Sequence, residues 1–177
     1  IKPHILIGAT GTADAFSEAV VRLMAEINPR PVIFALSNPT SKAECTAEQA
    51  YAWSDGRAVF ATGSPFASVD YQGKTYQPGQ GNNAYVFPGV GLGAVVSQTG
   101  VINDEMFLEA ARVLAEMVTE EQLQAGTLYP PLSDIRKVSH DIAVAVAEMA
   151  WKQNLTENPR PADVGVAVSE MMYDPAY

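Results

Sequence analysis

The sequence predicts an α/β fold: a parallel sheet of about three strands flanked by helices, with a mainly helical C-terminal extension. Three observations carry that expectation. Apolar runs at Ile5–Ile7, Val32–Leu36 and Ala58–Ala61 are short and continuous, as strands buried on both faces are. Helical periodicity fills the gaps between them, and the alternation predicts right-handed βαβ crossovers in a partial Rossmann-like arrangement. Beyond Gly100 the pattern turns helical. We therefore assign residues 1–100 to the α/β part and residues 101–177 to the helical part.

The elements follow in order. After GATGT, the residues Phe16, Val20, Leu23, Met24 and Ile27 recur at helical spacing, until Asn28 and Pro29 stop the helix. The second strand ends at Ser37 and Asn38. Thr46 with Gln49 makes a capping box for a short helix through Tyr51 and Trp53. Between Gly63 and Gly81 the chain is rich in Pro and Gly, and Tyr71 to Tyr76 reads as a hairpin around Gln72-Gly73. A further helix carries Met106 or Phe107, Ala110, Leu114, Met117 and Val118 on one face. Thr119 with Gln122 caps a short helix that Gly126 ends. Pro130 and Pro131 precede a long helix opening at Ser133 or Asp134, with the stripe Ile135, Val138, Ile142, Val146 and Met149. Ala162 to Met172 is a last amphipathic stretch.

Bulk composition narrows the function classes. With 11 Lys and Arg against 20 Asp and Glu, the formal charge is −9, which argues against nucleic-acid and anionic-membrane partners. No apolar run is long enough to span a bilayer. The single cysteine, Cys45, cannot pair within the chain, and a reducing, cytoplasmic setting (or an organelle in a eukaryote) is expected. The chain opens on Ile1-Lys2-Pro3 almost directly into a strand, so a piece of a longer polypeptide is expected.

The run GQGNNAYVFPGVGLG, Gly79 to Gly93, sets two adjacent amides, Asn82 and Asn83, at a glycine-punctuated helix start. An amide offers two donors and an acceptor without charge, and can grip a hydroxyl, a carboxylate or another carboxamide. Asn38 ends a buried strand, and Pro39 biases it to an extended conformation at the end of the sheet where α/β folds bind ligands. The competing roles are an Asx turn for Asn38 and helix caps for Asn82 and Asn83. Gly8-Ala9-Thr10-Gly11 lies where phosphate or ribose meets backbone N–H groups, or is simply a tight strand–helix turn. Gly89, Gly91 and Gly93 suit close helix packing. Lys42 reads as solvated, His4 and His140 as non-ligands, and Cys45 as an inert thiol. No metal-ligand spacing, nucleophile elbow or phosphate-binding glycine loop is present, so no catalytic or metal-binding residue is assigned.

Four runs carry a resemblance to a known family: ALSNPTSKAECTAEQAY (Ala35 to Tyr51), ATGSPF (Ala61 to Phe66), PGQGNNAYVFPG (Pro78 to Gly89) and LYPPLSDIRKVS (Leu128 to Ser139). With the tail PRPADVGVAVSEMMYDPAY, they closely resemble the malic enzymes, in order and over essentially the whole chain. The GATGTADAF segment departs somewhat from the commoner family wording. The resemblance implies the C-terminal part of a nicotinamide-binding domain, and oxidative decarboxylation of L-malate to pyruvate and CO2 with NAD or NADP and Mg2+ or Mn2+. It implies that Asn38 contacts both substrate and cofactor, that Asn82 contacts cofactor and Asn83 substrate, and that Gly8, Ala9 and Thr10 run past the cofactor ribose. The family's Tyr and Lys acid–base pair, its acidic metal ligands and its main glycine turn lie upstream, so the isolated chain is expected to be inactive. The resemblance further implies a homo-oligomer, dimer or tetramer. Two other readings stay open at this stage: a non-catalytic nucleotide-binding or regulatory module, and the cofactor domain of another hydroxy- or amino-acid dehydrogenase.

Overall fold

The computed structural model describes residues 1–173; the last four residues of the tail quoted above lie outside them. In chain order the strands are β1 (Ile5–Gly8), β2 (Val32–Ala35), β3 (Val59–Thr62), β4 (Val69–Tyr71), β5 (Lys74–Tyr76) and β6 (Gly79–Gln80). The helices are α1 (Glu18–Ile27), α2 (Ala47–Trp53), α3 (Phe87–Ser97), α4 (Asp104–Glu116), α5 (Glu120–Ala125), α6 (Ile135–Lys152) and α7 (Val164–Met171). They form two compact units. One comprises residues 1–82 and 118–129, and the other residues 83–117 and the chain from 130 onward.

The first unit is built on a parallel sheet in the order β1-β2-β3-β6. The fourth strand is additional to the three apolar runs. Gly79 and Gln80 carry no apolar signal, and only their pairing with Ala61 and Thr62 makes them a strand. Ile33, Ala35 and Phe60 project into a core filled by Val21 of α1, by Ala47, Ala50 and Tyr51 of α2, and by Cys45. Tyr51 stacks on Tyr76 of the β4–β5 hairpin with ring centroids 4.5 Å apart. At the hairpin tip, Gln72 and Gly73 both take positive φ, 50° and 77°, as a tight two-residue turn requires.

Two expectations for this unit need correction. The first strand is not buried on both faces: β1 is the outermost strand, and Ile5 and Ile7 are 53% and 60% exposed while Leu6 packs inward. The stripe assigned to α1 is rotated. Val20 and Leu23 are exposed, and the buried positions are Val21, Met24 and Ala25. Apolar residues cover so wide an arc of EAVVRLMAEI that either edge satisfies the period; packing decides which one turns inward.

In the second unit, α6 presents Val138, Ile142, Ala143, Val146, Ala147 and Ala150 as one buried stripe. Helix α3 lies against it through Gly89 and Gly93. A Cβ at Gly89 would stand 2.7 Å from the Ile142 Cβ, and one at Gly93 would stand 2.6 Å from the Ala143 carbonyl oxygen. Gly91, on the other side of α3, faces open space. Thr46 and Thr119 both complete their capping boxes, and Gly126 closes α5 at φ 89°. Among the described residues, no helix is long and apolar enough to cross a membrane.

Candidate ligand-binding site

Register places the site. Gly8, Ala35 and Thr62 are Cα partners across three strands, and Thr62 also pairs with Gln80. The loops beginning at Ala9, Leu36, Gly63 and Gly81 therefore leave the sheet at one level, from the carboxyl ends of parallel strands, where α/β sheets take ligands.

Two of these loops are held by one side chain that sequence reasoning missed. Glu44 is fully buried, and every group around its carboxylate is a donor. The Thr10 N–H and hydroxyl donate to its Oε1 at 2.8 and 2.9 Å, the Ser37 hydroxyl to the same oxygen at 2.5 Å, and the Ser37 N–H to Oε2 at 3.3 Å. The Gly11 N–H in turn donates to the Ser37 hydroxyl at 2.9 Å. Burial alone would push this carboxyl up, but the hydrogen bonds from Ser37 and Thr10 outweigh it and hold the group below its ordinary value. Gly8 admits this arrangement, because a Cβ there would fall 2.6 Å from the Glu44 side chain and 2.7 Å from Phe16. The only sequence signal for Glu44 was a carboxylate set between Ala43 and Cys45.

The Gly8-Ala9-Thr10-Gly11 segment accordingly differs from a strand–helix phosphate turn. Helix α1 starts only at Glu18, and Phe16 is drawn back into the core with its N–H on the Glu44 carbonyl. The N–H groups of Thr10 and Gly11 are spent within the protein, while Ala9 and Thr10 are exposed.

Asn38 stands exposed at the end of the β2 loop, and its peptide bond to Pro39 is cis. Its Oδ1 accepts from the Ser64 hydroxyl at 2.5 Å. That contact fixes the orientation of the amide and leaves Nδ2 with no partner among the described residues. Asn82 is brought to the same place: its Nδ2 donates to the Gly63 carbonyl at 3.2 Å. The two amides thus flank Gly63-Ser64, the loop that leaves β3. Only glycine fits at 63, where a Cβ would approach the Leu36 carbonyl oxygen to 2.3 Å and the Asn38 amide to 2.8 Å. Asn83 opens the second unit. It is exposed and begins a 3-10 turn in which its carbonyl accepts from the Val86 N–H at 3.0 Å.

The remaining candidates have local roles. His140 bonds through its ring nitrogens to Asp141, the Gly165 carbonyl and Ser169, and Lys42 is exposed. Cys45 is buried; burial first, then the Glu44 and Asp14 charges, pushes its thiol to about 12, so it stays protonated. A cavity of about 230 Å³ lined by Arg30, Arg57 and Tyr76 opens at the opposite end of the strands. It holds none of the predicted residues, and both arginines there donate to helix-end carbonyls.

With the geometry in hand, the family can be decided. Residues 1–151 match the family model described as malic enzyme, NAD binding domain. The chain belongs to the malic enzyme family. It is 52% identical to the chloroplastic NADP-dependent malic enzyme of Solanum lycopersicum, and 51% identical to the NADP-dependent malic enzyme of Vitis vinifera. Both matches cover all of this chain, which spans only 31% and 30% of those relatives. Among solved structures, the malic enzyme of Pyrococcus horikoshii superposes with a TM-score of 0.68 at 26% identity, over 94% of this chain and 34% of that one. The Entamoeba histolytica malic enzyme, at 21% identity and a TM-score of 0.72 over 97% of this chain and 31% of that one, supports the fold. The partial Rossmann-like α/β reading and the family resemblance both stand. The malic enzyme NAD-binding domain is the frame in which the amide-bearing loops are to be understood.

Proposed function

We propose that this chain forms the nicotinamide and substrate wall of a malic enzyme, which oxidatively decarboxylates L-malate to pyruvate and CO2 while reducing NAD or NADP. NADP is the better choice, because the relatives above are named for it. The observation that carries the proposal is Asn38: an exposed amide at the carboxyl end of a parallel strand, its oxygen anchored by Ser64 and its NH2 group without a partner among the described residues. A neutral donor so placed can hold a carboxylate or a carboxamide without competing for the protons the reaction moves.

The donor set fits a dinucleotide beside a small hydroxy acid. When bound, the nicotinamide supplies hydride acceptance. In this reading Asn38 orients substrate against that ring, and Asn82 lines the same loop cluster from Gly63. Gly8, Ala9 and Thr10 run past the ribose, Ala9 and Thr10 exposed and Gly8 buried beneath them, with the N–H of Thr10 committed to Glu44. Asn83 is assigned to substrate by the family resemblance alone. The described residues contain no group of three or more His, Cys, Asp or Glu able to hold a metal, so no metal-dependent step is derived for them. Coordination of Mg2+ or Mn2+ and the acid–base pair are assigned to other parts of the parent polypeptide, which we expect to act as a homo-oligomer. Its compartment, cytoplasm or an organelle as in the chloroplastic relative, goes with that parent.

The test is turnover of L-malate by the full-length polypeptide with NADP and Mn2+, in the wild type and in Asn38→Ala and Asn83→Ala. Each substitution should lower kcat/KM by roughly 10²–10³, about 2.7–4 kcal/mol, the loss of one positioned donor. Unchanged kcat/KM removes that residue from the site. NADP binding without turnover in the wild type would instead favour the non-catalytic nucleotide-binding module.

A further inference from the structure

We infer that Glu44 is a positioning residue that sets the Thr10 loop and the Asn38 loop in one register, and so links the cofactor side of the site to its substrate side. The inference rests on the proposed function for its kinetic consequences, but its geometric core stands by itself. One fully buried carboxylate accepts four hydrogen bonds, two from Thr10 beyond β1 and two from Ser37 beyond β2. The two sets come from residues 27 apart in sequence yet meet largely on the same oxygen, Oε1. Ser37 is the residue directly before Asn38. With both its N–H and its hydroxyl fixed, the chain enters Asn38 from a clamped point, and Ser64 then fixes the amide itself. The Gly11 N–H on the Ser37 hydroxyl ties the two loops a second time.

The chemistry demands a carboxylate. All four partners donate, so an acceptor-only group is the one side chain that satisfies them together. A glutamine could keep its oxygen toward Thr10 and the Ser37 hydroxyl only by turning its NH2 group toward the Ser37 N–H, donor against donor. An aspartate keeps the charge but falls one methylene short of two loops at once. Burial makes either mismatch costly, since a buried polar group left without its partner pays the full desolvation penalty. Because Thr10 and Ser37 share one acceptor, displacing either loop disturbs the other. Two ligands that each order one loop should therefore help one another bind, and by the same factor in both directions.

The experiment uses the full-length polypeptide and four variants, Glu44→Gln, Glu44→Asp, Ser37→Ala and Thr10→Val. Amide hydrogen exchange reads the geometry directly. In Glu44→Gln the Thr10 and Ser37 amides should exchange at least about tenfold faster, relative to the α2 amide of Ala50, than in the wild type. Kinetics then read the linkage. Ser37→Ala should raise the KM for malate more than that for NADP, Thr10→Val the reverse, and Glu44→Gln both. Titrating each ligand with and without the other should show coupling in the wild type and its loss in Glu44→Gln. Glu44→Asp should restore part of it. A merely structural glutamate would lower thermal stability while leaving the two KM values and the coupling unchanged, and that outcome overturns the proposal. Absence of malate turnover in the wild type would defeat the functional reading, while hydrogen exchange and NADP titration still decide the role of Glu44. Unaltered exchange at Thr10 and Ser37 would overturn it in any case.

Discussion

Replacing Gly63 by alanine concentrates the site's geometry in one methyl group. The added Cβ would stand 2.3 Å from the Leu36 carbonyl oxygen, where ordinary contact begins at 3.4 Å, so the two loops must part by about 1 Å. That oxygen is held in place, because the Ser37 N–H of the same planar peptide is bonded to Glu44 Oε2 at 3.3 Å. The long bond from the Gly63 N–H to the Ala35 carbonyl, 3.4 Å, would give way first. Overpacking of this kind costs about 1–3 kcal/mol, while the stiffer unfolded chain returns about 0.4–1 kcal/mol, leaving a net loss of up to about 2.5 kcal/mol. The kinetic cost should exceed the stability cost. The same Cβ presses on the Asn38 amide at 2.8 and 2.9 Å, and the Gly63 carbonyl that holds Asn82 moves with it. A displacement near 1 Å at a positioning group lowers kcat/KM on the order of 10²-fold. Urea denaturation of the full-length polypeptide measures the first effect and steady-state turnover of malate the second. A Gly63→Ala protein with both the wild-type midpoint and the wild-type kcat/KM would refute the reasoning, because a methyl group tolerated there means the two loops are further apart than described.

The remaining predictions rest on single features. Gly89→Ala should destabilise the second unit by about 1–3 kcal/mol through contact with Ile142 and the Ser139 carbonyl. Gly91→Ala, facing open space on the same helix, should stabilise it by up to about 1 kcal/mol in the same urea titration. Glu44 should make the protein acid-sensitive: its folded carboxyl lies below its ordinary value, so its contribution is complete above the unfolded value and is lost as pH falls through the folded one. Thermal midpoints recorded from neutral to acid pH should fall less steeply in Glu44→Gln. Ile5 and Ile7 lie exposed on an outermost strand, so the 177-residue chain should self-associate with rising concentration. Ile7→Lys should shift its sedimentation toward the monomer.

What could be read from the sequence was what local pattern determines. Thr46 and Thr119 announce their helices because a capping box is a four-residue affair, and Gln72-Gly73 announces its turn for the same reason. Asn38 and Asn82 stood out as amides beside glycine and proline, without reference to tertiary contacts. What escaped depends on partners distant in the chain. The strand at Gly79–Gln80 exists only because β3 supplies its hydrogen bonds. Which edge of α1 turns inward is fixed by the sheet it covers. Glu44 looked like any surface carboxylate, and its four donors lie 7 and 34 residues away. Ser64 appears in the ATGSPF run as a small residue, and nothing local shows that its hydroxyl reaches 26 residues back to Asn38.

The functional wall depends on strand register as much as on residue identity. Along the chain leaving β2, burial alternates: Ala35 and Ser37 are buried, Leu36 is half-buried and Asn38 exposed. Side chains of an extended chain alternate in direction, so a slip of one residue would exchange the roles of neighbours. Asn38 would then face Glu44, offering a bulky amide where a small hydroxyl now both donates and accepts. Ser37 would face outward, too short to reach Ser64 or a ligand. The flush pairing of Gly8, Ala35 and Thr62 excludes that slip, and the buried carboxylate penalises it a second time, since Glu44 is satisfied only with Ser37 inward. A charged side chain hidden beneath the loops thus gives an uncharged amide on their surface its single orientation.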